Sequence, residues 1–290
     1  MNNEQSAPYA GHYDLMPYGS SDDKRLEGFQ ASLNSDAKAI WILHGGQGCE
    51  KIVNAIEKGK ITLSTNKKLI IGFSGVTNLH LYALKNGWPC LHGPVGTISK
   101  ETCEITQSPI NTRASLLKVI EAITGKSPSL TYSLVPINDI AKQLEVPIEN
   151  TTVVGGCLNI LISHAGTETS LTGKGNIVFI EEQPERPERV ETQFMGLIRS
   201  GTFKNAKALM LGSFIDPYFN EERFEIVKPI LLARLAKMLV ENGINIPVFH
   251  GDNFGHGAFN DPLPLGTHAH IIMTPIKWNS CQRRESSLNN

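Results

Sequence analysis

The sequence predicts an α/β protein, and three observations carry that reading. Short apolar runs alternate with helical stretches through the first half, glycine turns close several of those runs, and 290 residues with 40% apolar content can bury a substantial core. At roughly 150 residues per domain, that length suits two domains. Alternating units of this kind build a parallel sheet with helices on its faces, and ligands bind beyond the carboxyl ends of the strands.

The pattern opens with a helix start rich in aspartate, Ser21-Asp22-Asp23. A strand over residues 39–43 follows, closed by the turn Gly45-Gly46-Gln47-Gly48, which leads into a helix over residues 50–58. Residues 68–72 make the next strand and residues 76–86 the next helix. A turn-rich crossing runs from Trp88 to Pro94, and a helix over residues 112–124 precedes a second region that starts near Val153. There, Gly155-Gly156-Cys157 reads as a glycine turn into a helix reaching His164. Residues 176–181 read as a strand ending in acid, 188–199 as a helix, 206–212 as a strand and 221–241 as an amphipathic helix. A turn-rich part over residues 247–257 leads to a strand at 265–272. The expected domains span residues 1–125 and 150–280.

Composition removes several function classes. Lys plus Arg (27) and Asp plus Glu (28) nearly cancel to a net charge of -1, so no strong field draws nucleic acid or an anionic membrane. No apolar run reaches the roughly 18 residues that span a bilayer, and the N-terminus lacks the basic and apolar regions of a leader. Five cysteines, Cys49, Cys90, Cys103, Cys157 and Cys281, lack Cys-x-x-Cys spacing, so neither a disulfide framework nor a zinc site is indicated. A reducing cytoplasm is the expected setting. His44 and His92 form no compact ligand spacing, so structural roles are expected for them, and His268 and His270, on one face of a strand, read as an alternating surface. The 45–48 turn lacks the Gly-Lys-Ser/Thr ending of a phosphate loop.

The chemistry concentrates at three element ends. In Gly72-Phe73-Ser74-Gly75 an apolar strand meets a glycine-flanked serine and turns at once into a helix. A corner of that kind lifts the hydroxyl clear of the backbone and aims the following N–H groups above it, as attack on a carbonyl requires. His256 lies between Gly255 and Gly257, and Glu181 ends an apolar strand. If the three meet, His256 takes the Ser74 proton and Glu181 fixes its tautomer. The N–H groups near Gly46 and Gly75 are the expected donors of an oxyanion hole, although a plain strand-to-helix turn explains the glycines equally well.

These residues, in this order, resemble the LD-carboxypeptidases, serine peptidases also called muramoyltetrapeptide carboxypeptidases. His44-Gly45-Gly46-Gln47-Gly48 stands for the family's Arg-Gly-Gly-Tyr-Gly turn, and Gly72-Phe73-Ser74-Gly75 for its Gly-Tyr-Ser-Asp turn. Gly155-Gly156-Cys157 stands for Gly-Gly-Asn, and Phe179-Ile180-Glu181-Glu182 for Phe-Leu-Glu-Asp. Tyr18-Gly19-Ser20, His92-Gly93-Pro94, Phe254-Gly255-His256-Gly257 and Leu263-Pro264-Leu265-Gly266 extend the match.

The resemblance implies an N-terminal α/β domain carrying Ser74 and a C-terminal domain with a β-barrel-like core carrying Glu181 and His256, with the site between them. It implies hydrolysis of the LD bond to a terminal D-alanine in cytoplasmic murein tetrapeptides during peptidoglycan recycling. No metal or organic cofactor, no nucleic acid and no membrane is called for, and a homodimer is left open. Family members usually open with a further strand and a Pro-Ser turn that this sequence does not show, so the expectation is either a sheet short of one edge or an incomplete or shortened N-terminus. Gly75, Gln47, Cys157 and Thr192 depart from the family pattern and loosen the substrate assignment more than the reaction class. One branch of the family resembles the microcin C immunity peptidase, which cleaves aminoacyl-nucleotide conjugates. A noncatalytic binder of cell-wall fragments is the third reading.

Overall fold

A computed structural model describes residues 21–63, 66–97, 112–126, 129–215, 221–257 and 259–272. The expectation of a sheet short of one edge falls on the residues before Ser21 and lies outside that set, as do Cys103 and Cys281.

The chain forms two sheets rich in parallel pairs. The first joins β1 (Ala39–Trp41), β2 (Leu69–Gly72), β3 (Cys90–His92) and β9 (Leu263–Leu265) in that order. Its first three strands are parallel, and β9 lies antiparallel to β3. The second, a curled half-barrel, has the order β10 (His268–Ile271), β5 (Ile148–Cys157), β6 (Ile177–Glu181), β7 (Ala208–Leu211), β8 (Val248–His250) and β4 (Val135–Pro136). Its four central strands are parallel, and both edge strands run antiparallel. The expected two-part α/β architecture is therefore the one adopted.

Helices cover both faces of the first sheet. On one side, α1 (Asp22–Asn34), α2 (Cys49–Glu57) and α3 (Thr77–Lys85) pack against Ile40, Ile70 and Cys90. On the other, Ile71 and Leu91 meet Val119 of α4 (Arg113–Ile123). This two-sided burial follows from the alternation of side chains along a strand. The first of these clusters continues into Phe179 and Phe249 of the second sheet and Phe254 of the loop after β8, so the two sheets share one core. Behind the second sheet, α6 (Leu158–Ser163), α7 (Pro187–Arg199) and α8 (Glu221–Glu241) bury Leu161, Phe194 and Leu235.

Local chemistry sets the helix starts. Asp22 and Asp23 sit in the first turn of α1, where the helix dipole favours acid. Pro187 occupies the first turn of α7. The Thr112 hydroxyl accepts the Ser115 N–H at 3.1 Å to cap α4, and Asn138 caps the short α5 (Asp139–Lys142) in the same manner.

Four readings of the sequence change. Residues 155–157 are not a glycine turn but the last rungs of the ten-residue β5. The glycines are there for close approach: a Cβ on Gly155 would lie 1.8 Å from the Phe179 carbonyl oxygen, and one on Gly156 would lie 2.6 Å from Thr77 Oγ1. The stretches read as turn-rich around Cys90 and Val248 contain the buried strands β3 and β8, whose three residues are too few to display a period. The strand placed at 265–272 is the shorter β10, and its first residue, Leu265, belongs instead to β9 in the other sheet.

Candidate active site

Ser74 follows β2 at the corner the sequence predicts. Its φ is +59°, a left-handed conformation that costs a non-glycine residue about 1–3 kcal/mol. The turn becomes one turn of 3₁₀ helix, Ser74–Val76, before α3. Gly72, just before the corner, leaves room for Val76, whose methyl would lie 2.8 Å from a Cβ there. The glycine turn after β1 packs directly on this corner. A Cβ on Gly45 would lie 3.2 Å from the Ser74 Cβ and 3.6 Å from its Oγ, and one on Gly75 would lie 1.8 Å from the Gly46 carbonyl oxygen. Gly46 and Gly75 therefore touch through their backbones beside the hydroxyl, with Gly46 at φ +79°. The Ser74 hydroxyl makes no hydrogen bond among the described residues.

Glu181 is the last residue of β6 and is fully buried. His256, on the loop after β8, brings Nδ1 to 2.7 Å from Glu181 Oε2. The remaining ring nitrogen, Nε2, has no partner among the described residues. Three contacts hold the loop in place. Gly257 N donates to Ser213 Oγ at 2.9 Å, Ser213 N donates to the Phe254 oxygen at 2.9 Å, and Gly255 N donates to Asn260 Oδ1 at 3.2 Å. Gly255, at φ +99°, lies so close to the acid that a Cβ would stand 2.4 Å from Glu181 Oε2. The His256 ring also packs on Phe73, the residue before Ser74, with ring centroids 4.8 Å apart. The acid and the imidazole thus meet directly, and the serine is their neighbour through Phe73.

Electrostatics match this geometry. Burial alone would raise the Glu181 pKa, but the charge and hydrogen bond of His256 outweigh it and hold the carboxyl at about 2. Burial opposes charge on His256 as well, and the Glu181 carboxylate overcomes it, so the imidazole titrates above its ordinary value. Next in the chain, Glu182 accepts N–H groups from Asn159 at 2.6 Å and Gln183 at 2.9 Å, and the Cys157 thiol at 3.4 Å. Burial, reinforced by the Glu181 charge, pushes Glu182 up to about 7. Burial also pushes the Cys157 thiol well above its usual value and leaves it an inert neighbour. Among the described residues no three His, Cys, Asp or Glu side chains converge as a metal site.

Family models decide the kinship. The model of the LD-carboxypeptidase N-terminal domain matches residues 3–93, and that of the C-terminal domain matches residues 150–271. The chain belongs to the LD-carboxypeptidase family. Over 259 residues it is 27% identical to the murein tetrapeptide carboxypeptidase of Pseudomonas aeruginosa, covering 88% of this chain and 80% of the relative. A Rickettsia conorii protein assigned to the carboxypeptidases is 29% identical over 262 residues, with 89% and 76% of the two chains covered. The crystal structure of muramoyltetrapeptide carboxypeptidase from Oxalobacter formigenes superposes with a TM-score of 0.64 at 25% identity, covering 88% of this chain and 82% of that one.

Within this LD-carboxypeptidase fold, two departures from the family pattern have a physical reading. The family's aspartate has no room at Gly75 as the turn stands, because Gly46 occupies the space a Cβ would need. Cys157 and Glu182 replace asparagine and aspartate, and the two touch each other: a shorter partner faces a longer acid. The residues that fasten the site were not singled out from the sequence. Ser213 sits just past β7, and the position of its serine at a strand end was the available signal. Thr77 Oγ1 accepts the Cys157 N–H at 3.1 Å, a contact across 80 positions that no local pattern carries. His268 and His270 lie exposed on one side of β10, as an alternating surface places them. No helix among the described residues is long and apolar enough to cross a membrane.

Proposed function

We propose that this protein is a cytoplasmic serine carboxypeptidase that hydrolyses the LD peptide bond to a terminal D-alanine in murein tetrapeptides, with Ser74, His256 and Glu181 as its triad. The observation that carries the reading is the 2.7 Å bond between Glu181 and His256, which leaves His256 Nε2 free beside the strained Ser74 corner. Kinship with murein tetrapeptide carboxypeptidases supports the substrate class. Neighbours whose solved structures carry aspartyl sulfamoyl adenosine are 20% identical at a TM-score of 0.61, a likeness of fold.

In this reading His256 Nε2 accepts the Ser74 proton as Oγ attacks the scissile carbonyl carbon. The oxyanion that forms is met by the N–H groups of Gly46 and Gly75. His256 then returns the proton to the leaving amine of D-alanine, and the acyl group stays on Ser74. Water attacks the ester carbonyl and gives a proton to His256, which returns it to Ser74 Oγ as the ester C–O bond breaks and the shortened peptide leaves as its acid. Glu181, buried and ionised, holds Nδ1–H and offsets the positive charge the ring carries between these transfers. The missing Ser74–His256 hydrogen bond is common before substrate binds, since catalytic contacts tighten in the complex.

The test is release of D-alanine from a murein tetrapeptide, paired with labelling by a fluorophosphonate probe. Wild type should do both, and Ser74→Ala neither. Ser74→Ala and His256→Ala should each lower kcat by roughly 10³-fold or more, as removal of members of one catalytic unit does. A loss under tenfold in both removes the triad. Cleavage of an aminoacyl-nucleotide in preference to the tetrapeptide overturns the substrate, and a folded protein that takes no probe is a binder.

A further inference from the structure

A second histidine faces the acid. His92 ends β3, is fully buried, and points Nε2 at the other carboxylate oxygen, Glu181 Oε1, from 3.5 Å. That oxygen has no hydrogen bond in the described structure, and neither has either nitrogen of His92. Two unpartnered buried polar groups at that separation each carry a desolvation cost that a small rotation or a 0.5 Å approach would relieve. Aromatic rings fix the direction of the imidazole. Phe179 packs edge-on at 4.9 Å between centroids, and Phe73 at 6.1 Å.

We infer that His92 is a positioning residue: its Nε2–H steadies the second oxygen of Glu181 and so sets how firmly Glu181 holds His256. The inference rests on the triad reading above and extends it from three residues to four. Ionisable groups face this cluster from every side. His256 is on its loop, Glu182 comes just after the end of β6, Cys157 ends β5, and His80 of α3 lies behind His92 with ring centroids 6.5 Å apart. His80 is fully buried and unpartnered, and burial holds it near 3, so it adds no charge at neutral pH. A donor on Oε1 stabilises a bare carboxylate more than one already facing an imidazolium. Removing the donor therefore makes Glu181 draw the proton on His256 more strongly, and the acidic limb of the rate profile moves to higher pH.

The experiment compares His92→Phe, which keeps a ring between Phe73 and Phe179, with His92→Gln, which keeps an N–H near the place of Nε2. His92→Phe should lower kcat about tenfold or more with KM nearly unchanged, as loss of an orienting partner does. It should also raise the acidic limb of kcat/KM by about half a pH unit, and His92→Gln should restore most of both. Nitrogen NMR on the wild-type protein labelled at histidine should place the His92 proton on Nε2, a readout independent of any variant's folding. Equal losses in both variants, an unmoved limb in His92→Phe, or a proton on Nδ1 alone would overturn the inference. If Glu181→Gln and His256→Ala instead keep full activity, the triad itself fails, and the NMR result still decides whether His92 holds Oε1.

Discussion

Gly255→Ala puts the acid–imidazole contact under a defined steric load. The new Cβ would stand 2.4 Å from Glu181 Oε2 and 2.8 Å from Ser213 Oγ, against an ordinary limit of 3.4 Å. Relief requires about 1 Å of movement by the acid that His256 grips at 2.7 Å or by the loop that carries His256. A misplacement of that size in a catalytic group costs about 10²-fold in rate. Alanine at φ +99° adds a backbone penalty of about 1–2 kcal/mol. Gly201 supplies the control: its φ is +82° and nothing lies within 4 Å of its Cβ position, so Gly201→Ala carries the backbone penalty alone. Melting temperatures and D-alanine release separate the two effects. Both variants should melt a few degrees below wild type, and only Gly255→Ala should lose about 10²-fold in kcat. Equal activity in the two would refute the reasoning, because it would mean that the Glu181–His256 geometry does not matter to the reaction.

Other outcomes follow from the same site. In the proposed mechanism His256 must be unprotonated to accept the Ser74 proton, and it is held above its ordinary pKa of 6.5, so kcat/KM should rise with pH through a midpoint above 6.5; a midpoint at or below that value contradicts the Glu181 contact. Glu182 should titrate near 7 when its side-chain carbon is followed by NMR, and a midpoint below 5 would mean that its two backbone donors outweigh burial. Thr77→Val strands the buried N–H of Cys157 and should cost about 1–3 kcal/mol in urea unfolding, while leaving His256 in place; a neutral result would show that water or a shifted strand replaces the hydroxyl.

What the sequence could convey depended on how far each contact reaches. The Ser74 corner is local, with strand, glycine, serine and helix adjacent in the chain, and it was legible. So were the longer helices, whose apolar period repeats over several turns. The strands β3, β8 and β9, each of three residues, give no period and vanish into glycine- and proline-rich surroundings. Gly155 and Gly156 misled for a physical reason: glycine serves a turn and a close backbone approach equally well, and only Phe179 and Thr77, distant in the chain, tell the two apart. Glu181 and His256 could be chosen as candidates by their places at a strand end and in a glycine loop. Their bond spans 75 positions and needed the fold. His92 reads as structural because it belongs to no compact ligand spacing, and spacing alone does not say what a buried ring points at.

Strand β9 gives the molecule a particular order of completion. The edge of β3 that receives Leu263–Leu265 stays open while some 170 intervening residues emerge, and it is sealed only by one of the last described segments. His256 emerges only shortly before that segment, so a growing chain has Ser74, the proposed nucleophile, long before the proposed base and long before a finished first layer. Under the proposed triad, a half-made copy is therefore unarmed toward the peptides around it. Severing the chain between the two sheets should leave two inert pieces whose reunion can be read as the return of hydrolysis.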